Sequence, residues 1–251
     1  MRPAHVFLLA LAGLGAGLTG SIAGLASLVS YPALLATGLG PISANVTNTV
    51  ALICSGIGST AGSRPELAGQ GARLRRLGVI GAVGGLLGGS LLLVTPAGAF
   101  ERVVPWLIAA ASIIILLRPQ RAALAAHHSG HEDSRMLQAG VLLVTIYGGY
   151  FGAAAGVLLV ALLLAATPEP LPRSNAVKNV VLAIANSVAA IAFAVLGPVH
   201  WAAVVPLGLG FLVGGRLGPT VVRRAPAGVL RTVIGIAGLG LAVRLALQAY
   251  R

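Results

Sequence analysis

The chain has 251 residues, 57% of them hydrophobic and only 9% charged, against roughly 25% charged in a soluble domain. Seventeen basic residues face five acids, a net charge of +12. The arginines sit in short loops between apolar runs, with no basic helix or aromatic stacking platform, so a nucleic-acid binder is excluded as a reading and a positive-inside membrane protein is favoured. The single cysteine, Cys54, excludes an intramolecular disulfide and a cysteine metal cluster.

Residues 3–63, 136–168 and 179–215 carry no Asp, Glu, Lys or Arg. One crossing needs about 20 apolar residues, so the longer runs hold more than one. The fold expected is an all-α integral membrane protein of 8–10 membrane segments with broken or re-entrant helices. Arg2 and the apolar run from Val6 have the form of a signal peptide. The stretch 17–24, however, belongs to a duplicated unit, so a retained first helix is expected.

In chain order, the first half (1–117) reads as apolar segments at 5–24, 25–39, 42–62, 77–95 and 99–117. A polar linker, 118–136, follows. The second half (137–251) reads as 137–155, 156–170, 173–196, 199–216 and 226–245. Gly17, Gly20, Gly24, Ala33, Ala44, Ala51 and Ser55 recur 132 positions later as Gly149, Gly152, Gly156, Ala165, Ala176, Ala183 and Ser187. A duplicated apolar chain with glycine-broken segments at matching places is the build of a secondary transporter.

Segments 25–39 and 156–170 are short for full crossings. Gly20, Gly24 and Pro32 in the first half, and Gly152 and Gly156 in the second, are the expected helix-break residues. Irregular backbone survives at membrane depth where it is buried in protein or lines a cavity. If the short segments are separate arms, 12 arginines fall on one side and 4 on the other. If they merge with their neighbours, the split is 10 against 6. The first reading obeys the positive-inside rule better and makes the halves inverted repeats; parallel halves remain the alternative. Glycines four apart at 81, 85 and 89 and at 84 and 88 allow close helix approach.

The polar cluster opening each third long segment carries the candidate chemistry. It reads Ser43-Ala44-Asn45-Val46-Thr47-Asn48-Thr49 in one half and Arg173-Ser174-Asn175-Ala176-Val177-Lys178-Asn179 in the other. Both follow a proline and precede an apolar run, so both are placed at helix N-termini. Such termini offer unpaired N–H groups and the positive end of the macrodipole to an anion. Simple N-capping is the plainer alternative. Asn45, Thr47, Asn48, Asn175, Lys178 and Asn179 are the expected substrate-binding residues, with Asn186 on the same helix face as Asn179. Lys178, the only lysine, either faces a cavity or snorkels. Ser55 and Ser187 are inward-facing candidates. Tyr147 and Tyr150 flank Gly148-Gly149.

No serine nucleophile elbow, paired carboxylate or phosphate loop is present, so no catalytic residue and no enzyme is expected. The segment 127–133 holds three histidines and two acids, yet no second cluster completes a metal site, and no cofactor is expected. Glu66, Glu101, Glu132, Asp133 and Glu169 all fall in or near loops, which leaves Lys178 or the substrate itself to carry any coupled proton.

At Gly20 to Gly24, Pro32, Gly38 to Pro41 and Ala44-Asn45-Val46-Thr47-Asn48, the chain resembles the sulfite exporter TauE/SafE family. The second half departs from the pattern, with Leu164 where the first has Pro32, and Ala176-Val177-Lys178-Asn179-Val180 in place of an Ala-x-x-Thr-Ser run. The resemblance implies a multi-pass transporter of sulfite or an organosulfonate such as sulfoacetate; the residues alone leave open a channel or uniporter for an anion or neutral solute, or a non-transporting membrane assembly protein. It also implies coupling to a proton or ion gradient. The partners expected are a small anion and the lipid bilayer of a bacterial plasma (inner) membrane; an exposed small-residue face permits a homodimer without requiring one.

Overall fold

A computed structural model describes residues 2–117 and 135–222, with 236, 239–240, 242–247 and 249. Among these the regular structure is entirely helical. Most of the expected linker, the histidine cluster at 127–131 and much of the expected last segment lie outside the described residues.

The helices are α1 (Pro3–Ala23), α2 (Ala26–Ala36), α3 (Pro41–Gly62), α4 (Arg64–Leu67), α5 (Gly71–Val94), α6 (Ala97–Leu117), α7 (Arg135–Tyr150), α8 (Ala155–Ala166), α9 (Leu171–Leu196) and α10 (Trp201–Val222). Prolines at the first positions of α1, α3 and α9 start these helices where a missing N–H costs nothing. α1, α5, α9 and α10 are each long and apolar enough to cross a membrane. Phe7, Val79, Leu91, Trp106, Leu143, Ile191 and Val205 lie exposed on the outside. So large an apolar exterior is stable when its solvent is lipid. The protein is a multi-pass all-α membrane protein.

The structure departs from the sequence reading in several places. α5 begins at Gly71 rather than 77, taking Arg73, Arg75 and Arg76 into its first turns. α10 continues through Arg216 and Pro219 to Val222. Pro32 does not break its segment but lies inside α2, which runs on to Ala36. In a helical bundle, neighbouring groups can satisfy the backbone that a proline leaves unpaired.

Glycine contacts fix the helix directions. Gly13 meets Leu207 and Phe211, Gly17 meets Phe211 and Gly215, and Gly218 meets Ser21, so α1 and α10 run parallel. Gly58 meets Leu212 and Gly62 meets Arg216, so α3 also runs parallel to α10. On the other side, Gly81, Gly85 and Gly89 meet Val181, Ala185 and Ala189, placing α5 parallel to α9 and in step with it. Gly84 meets Thr145 and Gly88 meets Ile146 and Tyr150, so α7 joins that set. Residues 63–70 are too few, at about 3.3–3.6 Å each when extended, to return the chain across the bundle. α5 therefore runs back against α3, and the two sets are antiparallel.

Each set mixes the halves. α1 and α3 pack on α10, while α7 and α9 pack on α5. A shift of 132 residues carries α1, α2, α3 and α5 onto α7, α8, α9 and α10. The sets meet where α3 packs on α9. Since α1 and α3 run the same way, α2 returns between them as a separate arm. Its 11 residues rise about 16 Å, half of a bilayer core of about 30 Å.

With little water to expel between helices in lipid, packing depends on close backbone approach at small residues. A Cβ built on Gly85 would fall on the Ala185 carbonyl, whereas one on Gly98 meets nothing within 4 Å. Gly85→Val is expected to abolish monodisperse protein on size-exclusion chromatography, and Gly98→Val to leave the elution profile unchanged.

Candidate functional site

α1 ends at Gly24, whose φ of 75° is the left-handed conformation glycine adopts without strain. Its N–H donates to Gly20 O at 2.8 Å. The second break falls after α7, where Gly152 and Ala154 have φ of 74° and 59°. There Tyr147 Oη donates to Ala153 O at 2.7 Å, tying the loop down. Of the expected break residues, Gly24 and Gly152 occupy the breaks. Gly20 lies in the last turn of α1 and Gly156 in the first turn of α8. Both admit close contacts: Gly20 with Ala26, and Gly156 with Gly24.

Gly24 and Gly156 are repeat equivalents, and they touch. A Cβ on either would overlap the backbone of the other. The two breaks thus meet at one place. Around it lies a cavity of about 60 Å³. Ala26 and Ser27 at the N-terminus of α2, and Ala155 and Gly156 at the N-terminus of α8, line it. α3 contributes Thr49, Ser55 and Ser59; α9 contributes Lys178, Asn179 and Asn186.

Lys178 is 1% exposed. Its Nζ donates to Gly20 O at 3.0 Å and Ser21 O at 3.3 Å, and no carboxylate is paired with it among the described residues. The amine reaches inward from the second turn of α9 and does not snorkel. Asn179 is 6% exposed, and its amide nitrogen has no partner among the described residues. Asn186 is half-buried on the cavity wall.

The other expected binding residues are spent on structure. Asn45 Nδ2 donates to Tyr150 O at 2.9 Å, and Asn175 Nδ2 to Ser21 O at 2.9 Å. Each ties one half's long helix to the backbone beside the other half's break. Asn48 accepts from Ser30 Oγ at 2.6 Å and donates to Ser27 Oγ at 3.1 Å, pinning α2 to α3. Thr47 Oγ1 accepts the His200 N–H at 2.9 Å. None of these four lines the cavity. Replacing Asn48 by Ala takes the donor from the buried Ser27 hydroxyl, while Ser30 keeps its bond to Ala26 O at 3.0 Å, a loss of about 1–3 kcal/mol. A lowered melting temperature in detergent is the expected result.

The N-termini that face the cavity are also not those the sequence suggested. α3 and α9 start at Pro41 and Leu171 and contribute from later turns. The short α2 and α8 bring their N-terminal residues instead. Thr49 closes the expected cluster but was not singled out from it, and Ser59 was not expected, because a hydroxyl in a helix also bonds its own backbone, as Thr49 does to Asn45 O at 3.1 Å and Ser59 to Gly56 O at 3.3 Å. Their spacing with Leu52, Ser55 and Gly56 on one helix face was the available signal. Ser55 faces the cavity as expected; Ser187, Tyr147 and Tyr150 do not line it. Among the described residues no group of His, Cys, Asp and Glu could hold a metal ion.

A family model described as "Sulfite exporter TauE/SafE" matches residues 9–245. No curated protein and no solved structure matches.

Proposed function

The chain belongs to the sulfite exporter TauE/SafE family, a family of membrane transporters, and from that premise we propose that it moves a small sulfur-containing anion across the bacterial plasma membrane by alternating access. Sulfite and organosulfonates such as sulfoacetate are the substrate class. The observation that carries the reading is the convergence of two half-helix N-termini, Lys178 and the unpartnered Asn179 amide on one cavity. Each of these favours negative charge. A buried ammonium without a carboxylate needs a counter-ion, and an anionic substrate supplies one.

Inverted halves belong to the same proposal. They are supported by the two antiparallel helix sets that the 132-residue shift exchanges. Arg64, Arg73, Arg75, Arg76, Arg173 and Arg216 sit at the ends where α3 and α10 finish and α5 and α9 begin, which makes that side cytoplasmic by the positive-inside rule. Alternating access then rocks one break against the other about the Gly24–Gly156 contact. Proton coupling follows if Lys178 is protonated as the anion binds and releases its proton when the anion leaves. No catalytic step is proposed.

Flux in proteoliposomes tests this. With sulfite, sulfoacetate or taurine outside, saturable uptake that is raised by an inward proton gradient is expected for at least one of the three. Uptake that is blind to the gradient would replace the transporter reading with a channel or uniporter. Absence of flux for all three would break the link to these substrates.

A further inference from the structure

A second cavity, of about 420 Å³, opens where α5 and α9 begin. Gln70, Arg73, Arg76, Glu169 and Arg173 line it together with the small residues 68, 69 and 72. It shares no residue with the cavity at the helix breaks. Three guanidinium groups and one carboxylate line it. Arg73 is 7% exposed and held by a 3.1 Å bond from its guanidinium to Thr167 Oγ1. Because α5 and α9 run in step, Arg73 and Arg173 lie at one level, five residues before Lys178. That is about 7–8 Å along the helix axis.

The carboxylate sits among these cations as a ligand would. Glu169 Oε1 accepts from Gln70 Nε2 at 3.0 Å, and Oε2 lies 3.3 Å from the Arg173 guanidinium. Gln70 comes from the first half and Glu169 and Arg173 from the second. We propose that this cavity is a second oxyanion-binding site, an antechamber to the cavity at the helix breaks, in which the Glu169 carboxylate is the resident competitor. An incoming sulfite, sulfonate or sulfate would displace Glu169 from Arg173 and take the Arg173 N–H donors it leaves, whose forked geometry suits such groups. The antechamber role rests on the anion-transport reading; the binding itself does not.

The test uses the full chain carrying Lys178→Gln, which removes the deep cation, in nanodiscs of zwitterionic lipid. Equilibrium dialysis against radiolabelled sulfate is expected to show one saturable site per chain. Arg173→Gln should weaken it at least tenfold, and Glu169→Gln should tighten it several-fold. A gain in affinity cannot arise from misfolding. No saturable binding in the Lys178→Gln chain, or binding indifferent to or weakened by Glu169→Gln, would overturn the proposal. Repeating the titration with phosphatidylglycerol present separates a soluble anion from a lipid headgroup. Unchanged sulfate affinity supports the antechamber, whereas competition by the lipid overturns it. If the transport reading alone is wrong, wild-type flux fails while this binding persists.

Discussion

Lys178→Met is expected to abolish saturable anion flux while leaving the protein folded. The amine is buried with two backbone carbonyls for partners and no acid paired with it among the described residues. A charge-assisted hydrogen bond to a bound anion contributes about 1.5–3 kcal/mol, so its loss lowers affinity by about 10–100-fold. The fold should tolerate the change, because an apolar side chain of similar length fills the same space without a desolvated cation. Ser21 O keeps its bond from Asn175. A melting temperature within a few degrees of wild type, together with lost flux, separates a binding role from a structural one. If Lys178 serves only packing, the same substitution leaves flux intact.

Gly24→Ala and Gly156→Ala are each expected to reduce flux more than tenfold or to prevent folding. Gly24→Ala suffers twice: its φ of 75° costs an L-residue about 1–2 kcal/mol, and its Cβ overlaps the Gly156 backbone. Gly156 is helical, so its Ala variant suffers only the overlap with Gly24. Gly38→Ala isolates the conformational cost alone, since Gly38 has a φ of 91° and nothing within 4 Å of its added Cβ. Flux assays and thermal melts of the three variants separate the terms. Gly38→Ala should retain flux with a modest loss of stability. Equal behaviour of Gly38→Ala and Gly156→Ala would mean that the contact between the breaks carries no special role.

Much of the framework was legible in the sequence because it is written in hydropathy and glycine. The charge-free runs located the segments, and the 132-residue recurrence located both breaks. The paired glycines at 81, 85 and 89 and at 84 and 88 announced close packing. The binding wall was harder to read. Neighbouring polar residues on a helix point about 100° apart, so a cluster such as Asn45, Thr47 and Asn48 samples several directions. Only the packing of other elements decides which direction meets a cavity. Here Ser27 and Ser30 claim Asn48, Tyr150 claims Asn45 and His200 claims Thr47. Asn175 and Lys178, three apart, share a face and both reach Ser21 O. Pro32 misled because a proline that would end a helix in water is tolerated inside one that neighbours support.

The central claim is that one small oxyanion binds between the two breaks, against Lys178 and Asn179. Its most direct test is an anomalous difference map from crystals of the protein grown with selenite, which shares the pyramidal shape of sulfite and carries an anomalous scatterer. The account predicts a selenium peak in the cavity beside the Gly24–Gly156 contact, with its oxygens within hydrogen-bond reach of Lys178 Nζ and Asn179 Nδ2. A map with no peak in that cavity, and selenium only among Arg73, Arg76 and Arg173 or on the outer surface, would contradict it.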